Sequence, residues 1–290
     1  MEQKIDWNVA VCETLKTNVK ETQLRIQREE TDRMCPSVSI EGAFKEYTEG
    51  KSLDDIVDII CETVAKAFEA NAPFADGEID WDNFEEKVFF CIVNTEKNEE
   101  LLKTIPHRRF GNTNLSIVYK WNVGNDSEGM YTNTITNAFM ESREKTEEEL
   151  YELAYANTKR LFPTTIRSME DVIREMMGGM IEGMDEVEEL MESQQERRMY
   201  VISNKAAIFG ASSIIYSDDL MELAEKIGTD LYILPSSIHE CIAISEKYGT
   251  PEDLKEMVTE INENEVDDKD VLSDNVYIFR RETGTIELAA

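Results

Sequence analysis

The sequence predicts an α+β protein with short, largely antiparallel mixed sheets and packed helices, arranged as two modules. Helix starts alternate with short strands, and several neighbouring strands are separated by too few residues for a parallel crossover. Charged and apolar residues follow helical and strand periods, which indicates a folded chain rather than a disordered one. With 41% hydrophobic residues among 290, the chain can build substantial cores.

Capping residues mark the predicted helix starts. Ser52 and Thr146 each precede an amphipathic run and have an acid three residues later, as in a capping box. Ser168 opens a third run, and Thr250 opens a fourth that has proline at its first position. Gly228 is expected to end the helix that precedes it.

Short runs rich in β-branched and aromatic residues predict the strands. They are QLRIQ, VFFCIV, LSIVYKW, MYVIS, AIFGASSIIY, LYILP, HECIAI and VYIF. VYIF continues into TIEL through a turn at Thr283-Gly284, which predicts a closing hairpin. From residue 199 onward we expect the order strand, strand, helix, strand, strand, helix, strand, strand.

The segment 178–198 is the best candidate for a domain boundary. It contains three glycines, and from Glu182 to Glu196 it has seven acids and no base. We therefore expect an N-terminal module at 1–177, an acidic connector or helix rich in methionine and glycine at 178–198, and a C-terminal module at 199–290. A weaker connector is expected at 70–82.

The net charge of −31, from 61 acids and 30 bases, restricts the possible partners. Such a surface repels nucleic acid and anionic membrane alike, so the expected partners are basic proteins, cations or neutral small molecules, and we favour a protein with a basic surface. No apolar run reaches the length of about 18 residues that a membrane span requires. The first residues lack the basic-then-apolar order of a secretion signal, and five widely spaced cysteines form no CxxC pair. We expect a cytoplasmic protein.

Two acidic runs are candidates for an interaction surface. Rows of carboxylates could imitate a nucleic-acid backbone to a basic enzyme, with binding that weakens as salt rises. The alternative is a solvated face that keeps the protein soluble. The candidate residues are Glu182, Asp185, Glu186, Glu188, Glu189 and Glu192 in the first run, and Glu252, Asp253, Glu256, Glu260, Asp267, Asp268 and Asp270 in the second.

The basic triplet His107-Arg108-Arg109 is a candidate anion or ligand site. Two guanidiniums beside an imidazole could hold a phosphate or carboxylate through paired hydrogen bonds. The alternative is that the arginines pair with acids of the chain itself. His239 is a further candidate residue for an anion or ligand site. If 237–241 is extended, Ser237, His239 and Cys241 share one face, but their side chains stand parallel rather than convergent, which disfavours catalysis.

Patterns for cofactors and metals are missing from the sequence. It contains no G-x-G-x-x-G string and no Walker A loop. The acidic segment 76–87 loosely resembles a calcium loop, but Trp81 stands where glycine is needed and Lys87 where glutamate is needed. We therefore predict no cofactor and no dedicated metal site, and favour a protein that is not an enzyme.

Several long strings resemble a domain-of-unknown-function family of anaerobic Gram-positive bacteria and their mobile elements. The strings are FKEYTEGKSLDDIV (44–57), IPHRRF (105–110), EEELYELAYANT (147–158), IRSMEDVIREM (166–176), MYVISNKAAIFGA (199–211), LAEKIGTDLYILPSSIHE (223–240) and VLSDNVYIFRRETGTI (271–286). The family offers no activity or catalytic residues to transfer to this chain. The resemblance implies a setting near genes that counter host defence, which favours an interaction role.

These observations lead to three functional hypotheses, of which the third is an oligomerising structural protein that self-associates through the methionines recurring at near-helical spacing over 169–191. The first is a non-enzymatic acidic interaction protein, with an anti-defence factor that occupies a basic nucleic-acid-binding protein as its most specific form. The second is a small-molecule or anion-binding protein, or an enzyme, that uses the triplet His107-Arg108-Arg109.

Overall fold

A computed structural model of the chain describes residues 7–16, 18–28, 37–70, 84–125, 130–176, 197–235 and 237–290. It divides into two compact units, a first unit of residues 1–84 and a second unit of residues 85–290. The sheets are antiparallel and lie beside packed helices, so the predicted α+β class is confirmed.

The first unit contains one three-stranded antiparallel sheet in the order β1-β2-β3 with two helices. Its elements are β1 (Asn8–Lys16), β2 (Val19–Gln27), β3 (Ser37–Ser39), α1 (Ile40–Thr48) and α2 (Leu53–Ala70). Ile26 of the sheet and Val64 and Phe68 of α2 form its buried core. The apolar face of α2 is thus used to cover the sheet.

The second unit contains two antiparallel sheets. The four-stranded sheet has the order β4-β6-β5, with β7 also paired to β6. Its strands are β4 (Val88–Asn94), β5 (His107–Arg109), β6 (Leu115–Asn125) and β7 (Met130–Thr134). The six-stranded sheet has the order β13-β12-β10-β11-β9-β8. Its strands are β8 (Thr164–Ser168), β9 (Tyr200–Asn204), β10 (Leu231–Leu234), β11 (Cys241–Ser245), β12 (Tyr277–Arg280) and β13 (Thr285–Leu288).

Helices alternate with these strands along the chain. They are α3 (Phe84–Lys87), α4 (Glu99–Leu102), α5 (Asn137–Ser142), α6 (Glu147–Leu161), α7 (Met169–Met176), the 3-10 helix Gly210–Ile215, α8 (Ser217–Ile227) and α9 (Pro251–Glu265). The predicted helix ends are confirmed. Ser52, Thr146, Ser168 and Thr250 each accept a hydrogen bond from the backbone N–H three residues later, and Gly228 ends α8 in the left-handed conformation with φ +87°.

Strand β4 is buried along its whole length although it lies at the edge of its sheet. An edge strand presents unpaired backbone groups, and burying them without partners is costly. Helix α6 supplies the partners from its side chains. Thr158 Oγ1 accepts from Phe90 N at 3.0 Å, and Asn157 Nδ2 donates to Val88 O at 3.0 Å. These two polar residues therefore fix α6 against the four-stranded sheet.

The two sheets of the second unit are connected by polar contacts near β13. Asn112 forms an isolated parallel bridge with Glu287, and Leu288 N donates to Asn112 O at 3.3 Å. Tyr277 Oη donates to Asn114 Oδ1 at 2.5 Å from a fully buried position. The loop between β5 and β6 of the four-stranded sheet is thereby held against the six-stranded sheet.

The strand predicted for AIFGASSIIY is wrong, because residues 210–215 form a 3-10 helix. Ser212 N donates to Phe209 O and Tyr216 N to Ser213 O, the spacing of that helix. The run is buried on every side, and a fully buried apolar run has no period that separates strand from helix. The order after residue 199 accordingly has one strand fewer before α8.

The predicted boundary at 178–198 falls mostly outside the described residues, and there it stays a prediction. The strands on either side of it are described: β8 and β9 pair antiparallel, with Thr164 opposite Asn204. The division between the two units falls between Phe84 and Glu85, directly after the segment that we named as a weaker connector.

Candidate functional site

The basic triplet lies on β5 and is divided between the two faces of the four-stranded sheet. His107 is opposite Val118 and Arg108 is opposite Ile117 in the antiparallel register with β6. Because successive side chains of a strand point to opposite faces, Arg108 points away from the face of His107 and Arg109. His107 Nδ1 donates to Ile105 O at 3.1 Å. The structure therefore does not bring the three side chains together as a clamp.

Arg108 is held by acids at the start of α6. Its Nε lies 3.1 Å from Glu147 Oε1 and its Nη2 lies 2.8 Å from Glu147 Oε2, a paired arrangement. Its Nη2 also lies 2.5 Å from Glu148 Oε2, and its guanidinium carbon is 4.1 Å from the ring centroid of Tyr151. The hydrogen bonds to Glu147 raise the pKa of Arg108. The arginine thus pairs with its own chain, the alternative considered for it.

Tyr119 also contacts the Arg108–Glu147 ion pair. The residue is fully buried on β6, and its hydroxyl donates a hydrogen bond to Glu147. Burial, followed by that hydrogen bond to an anion, raises the pKa of Tyr119 far above its usual range. Glu147 therefore receives hydrogen bonds from both Arg108 and Tyr119, although the sequence marked it only as the residue after a helix cap. The spacing of 28 residues between Tyr119 and Glu147 carries no local signal.

Alkaline pH is expected to destabilise the second unit because of three buried tyrosines. Burial raises the pKa of Tyr119, Tyr216 and Tyr277. Above a pH of about 10 the unfolded chain releases these protons while the folded protein retains them, so stability falls as pH rises. Each tyrosine contributes a slope of about 1.4 kcal/mol per pH unit. Urea unfolding at several pH values measures the slope.

Lysines also titrate above a pH of about 10. The variant Tyr216→Phe separates the contribution of one tyrosine to the slope from that of the lysines. Its slope above a pH of about 10 should be lower than that of the wild type by the contribution of one tyrosine, about 1.4 kcal/mol per pH unit. Equal slopes for the two proteins would contradict the assignment.

His239 lies in a bend before β11, so the extended conformation considered for 237–241 is not observed. Phe209 N donates to His239 Nδ1 at 3.3 Å, which places the proton of the neutral ring on Nε2. That nitrogen faces Asp270 Oδ1 at 3.6 Å, and the ring stacks on Phe209 with centroids 6.1 Å apart. Phe209 itself has a left-handed backbone, with φ +53°.

No described hydrogen bond, ion pair or ring contact joins His239 to the triplet on β5. Ser237 Oγ accepts from His239 N at 3.0 Å, and Ser203 Oγ donates to His239 O at 2.8 Å, so both hydroxyls contact its backbone rather than its imidazole. Burial raises the pKa of the Cys241 thiol, which keeps it protonated and unreactive. The arrangement fixes a loop and offers no activated nucleophile.

The second acidic run is described, and helix α9 organises most of it. The helix buries Leu254, Val258 and Asn262, which form one stripe along its length. At about 100° per residue, four exposed glutamates lie on the opposite face of the helix. This α9 glutamate row consists of Glu252, Glu256, Glu260 and Glu263. None of its members has an ion-pair partner in the part of the chain that the structure describes.

The other predicted acids of this run differ in their surroundings. Asp253 accepts from Thr250 Oγ1 at 2.7 Å and belongs to the helix cap. Asp267 pairs with Lys269 at 3.1 Å, and this contact lowers the pKa of Asp267. Asp270 faces His239, whereas Asp268 is exposed. The continuous acidic surface near the C-terminal helix is therefore the α9 glutamate row.

The first acidic run lies outside the described residues, so its role stays a prediction. Its members are Glu182, Asp185, Glu186, Glu188, Glu189 and Glu192.

The α9 glutamate row works against the stability of its own helix. Like charges four residues apart, such as Glu252 and Glu256, repel each other by about 0.2–0.5 kcal/mol per pair. Glu263 and Glu265 lie at the negative end of the helix dipole, and the last turn has no basic residue. The dipole favours Glu252 in the first turn, but local stability does not explain the three glutamates that follow it in the row.

The described ranges contain neither a membrane-spanning helix nor a cluster of metal ligands. No helix there is long and apolar enough to cross a lipid bilayer. In the same ranges, no three side chains of His, Cys, Asp or Glu are grouped closely enough to hold a metal ion.

Comparison with known proteins identifies the family of this chain. No curated protein matches the sequence, and no solved structure matches it. A model for a family of unknown function, DUF5688, matches residues 1–281, nearly the whole chain. This match confirms the resemblance to a domain-of-unknown-function family. The chain belongs to the DUF5688 family.

Proposed function

We propose that this protein is a non-enzymatic, cytoplasmic interaction protein that occupies the basic surface of a nucleic-acid-binding protein. The observation that carries the proposal is the α9 glutamate row, four exposed carboxylates on one face of one helix that have no ion-pair partner among the described residues. An anti-defence role in a mobile element is the most specific form of this function, and the family resemblance supports it.

The charge density of α9 suits a surface that normally binds nucleic acid. The helix has 15 residues with six acids and one lysine. At about 1.5 Å per residue it is about 22 Å long, so it carries one net negative charge per 4–5 Å. One strand of DNA carries a charge about every 3.4 Å along its axis. The spacing of negative charge along α9 is therefore close to that along one DNA strand, so a basic groove that binds nucleic acid could also bind α9.

Charge reversal on α9 is expected to abolish binding to such a partner. The variant Glu252→Lys/Glu256→Lys/Glu260→Lys replaces three carboxylates with ammonium groups at four-residue spacing. It should slow association and raise Kd by about 100-fold or more at low salt, since like charges at an interface are strongly unfavourable. The measurement is a pull-down from a nuclease-treated bacterial lysate at low and high salt, followed by titration of the captured basic protein.

Helix α2 of the first unit provides a matched control. Asp54, Asp58 and Glu62 have the same spacing, begin at the same position of their helix and are exposed. Their replacement with lysine changes the net charge equally, so any general effect of charge will be the same. Retained capture by the α2 variant and loss by the α9 variant support the proposal. Equal capture by both variants, or capture that ignores salt, would show that the row is only a solvated face.

A further inference from the structure

Strand β1 forms an open edge of the sheet in the first unit. The sheet has the order β1-β2-β3, and β1 pairs with β2 along its whole length, from Asn8 opposite Gln27 to Lys16 opposite Val19. No described strand pairs with the other edge of β1. The N–H and C=O groups on that edge are therefore available to a further strand.

This edge lacks the features that usually prevent pairing between proteins. Edge strands are commonly short, bent by a bulge, interrupted by proline, charged or covered by another element. The opposite edge strand β3 has three residues, and the edge strand β4 of the second unit is covered by α6. In contrast, β1 has nine residues without proline, and its register with β2 has no bulge. Its first five residues, Asn8–Cys12, are also uncharged.

Two valines of this edge are exposed although they lie on the covered face of the sheet. Val9 is opposite Ile26 and Val11 is opposite Leu24, so these side chains share one face. Helix α2 helps to bury Ile26 on that face, but Val9 is 56% exposed and Val11 is 69% exposed. A strand added beside β1 would extend the apolar face and cover both valines.

We propose that the open edge of β1 binds the β1 strand of a second copy of this chain, antiparallel, so that two three-stranded sheets become one sheet of six strands. A symmetric dimer requires a surface that complements itself. The run Val9-Ala10-Val11 reads the same in both directions. A two-fold axis at Ala10 therefore places Val9 of each copy opposite Val11 of the other, and the four valines form one apolar patch. The proposal does not depend on the proposed function.

The charges near this edge also favour a second copy. The hairpin 7–28 has four bases and two acids, whereas the whole chain has 30 bases and 61 acids. Two copies therefore repel each other less through this hairpin than through the rest of their surface. In the proposed register Asn8–Cys12 pairs with itself, so Glu13 and Lys16, the charged residues of β1, lie beyond the paired segment. No like charges face each other within it.

Analytical ultracentrifugation of the full chain measures the dimer directly. A short paired segment is a small interface, so we expect a Kd of about 1–100 µM. Salt screens the repulsion between two acidic copies, and Kd should therefore fall about threefold or more between about 50 and 500 mM salt. Binding of a basic partner to the α9 glutamate row has the opposite dependence on salt.

Lysine substitutions connect the dimer to β1. Val9→Lys/Val11→Lys places ammonium groups on the edge and should raise the Kd of the dimer about 100-fold or more. Leu53→Lys/Val57→Lys in α2 is the matched control. It makes the same change in charge and polarity at residues that are 64% and 50% exposed, and the dimer should be retained.

Ala10→Cys tests the register itself, in a background that carries Cys12→Ser, Cys35→Ser and Cys61→Ser. Opposite residues of an antiparallel pair have Cα atoms about 4.5–5.5 Å apart, within the range of about 4.4–6.8 Å that a disulfide spans. Mild oxidation above the Kd should therefore link most of the protein as dimers on a non-reducing gel. Thr14→Cys in the same background is the control, because its two copies would lie eight residues apart along the strands, about 27 Å.

Three results would overturn the proposal. A chain that is monomeric at every concentration would leave the edge to a strand of another protein. A dimer that persists in Val9→Lys/Val11→Lys would place the contact elsewhere, and equal linkage of Ala10→Cys and Thr14→Cys would contradict the register. The α9 variant should still form the dimer, and the β1 variant should still bind a basic partner. Failure of this proposal is therefore distinguishable from failure of the proposed function.

Discussion

Gly210→Ala is expected to destabilise the second unit by about 3 kcal/mol or more. A methyl group at this position would lie deep inside the van der Waals contact distances of Ser203 Oγ and His239 O, and 2.9 Å from Asn204 N. Two of these three atoms belong to backbone that is fixed by β9 and by the bend at His239. The crowding cannot be relieved by rotation of a side chain alone.

Urea unfolding and thermal melting measure this effect, and Tm should fall by about 6–12 °C for a unit of this size. Gly249→Ala is the matched control, since nothing lies within 4 Å of a methyl group there, and it should change stability by less than about 0.5 kcal/mol. Adding Ser203→Ala to Gly210→Ala removes one of the crowded atoms and should restore only part of the loss. Full recovery would mean that the backbone atoms are not the cause.

The same glycine shows which features the sequence could predict. Capping at Ser52, Thr146, Ser168 and Thr250 depends on residues three positions apart, so local pattern was sufficient. The 3-10 helix that begins at Gly210 depends instead on where Ser203 and His239 lie in the fold. An apolar run such as AIFGASSIIY looks like a buried strand until those neighbours are known.

Strand β5 explains why the candidate site was only partly predictable. The three residues of HRR all have charged or polar side chains, so the sequence gives no strand signal there. Without a strand, it cannot show which way each side chain points. Once β5 pairs with β6, the period of two separates Arg108 from His107 and Arg109. Strand β8 was missed for a similar reason, since only one of its five residues is apolar.

The acidic helix, by contrast, was predictable in both position and face. Leu254 and Val258 are four residues apart, and the proline after the cap fixes the start of α9. The glutamates then fall on the opposite face by helical geometry alone. The sequence could not show that those glutamates lack ion-pair partners among the described residues, because this depends on which elements pack nearby.

Glu147→Gln is expected to lower the free energy of unfolding of the second unit by about 2 kcal/mol. The glutamine has the same shape, but its amide nitrogen would face a donor, either the guanidinium of Arg108 or the hydroxyl of Tyr119. Tyr119 is fully buried, so a hydroxyl left without its acceptor cannot turn to water. The cost arises mainly from that unsatisfied group and from the weakened ion pair.

Glu148→Gln separates this effect from the loss of a charge at the helix start. Glu148 also binds Arg108 and occupies the same first turn of α6, but its side chain is 67% exposed, whereas that of Glu147 is 30% exposed. Both variants lose the same favourable interaction with the helix dipole, about 0.3–1 kcal/mol. Glu148→Gln should cost no more than about 1 kcal/mol, since exposed ion pairs contribute little.

A double-mutant cycle assigns the remaining difference to the buried hydroxyl. Tyr119→Phe removes the donor, so Glu147→Gln made in that background should cost less than it does alone, by about 1 kcal/mol or more. Additive effects of the two substitutions would mean that Tyr119 and Glu147 do not act together. Equal losses in Glu147→Gln and Glu148→Gln would mean that Arg108 is bound only at the surface. The second result would leave Arg108 open to a ligand on its own face of the sheet, but the register of β5 would still keep it apart from His107 and Arg109.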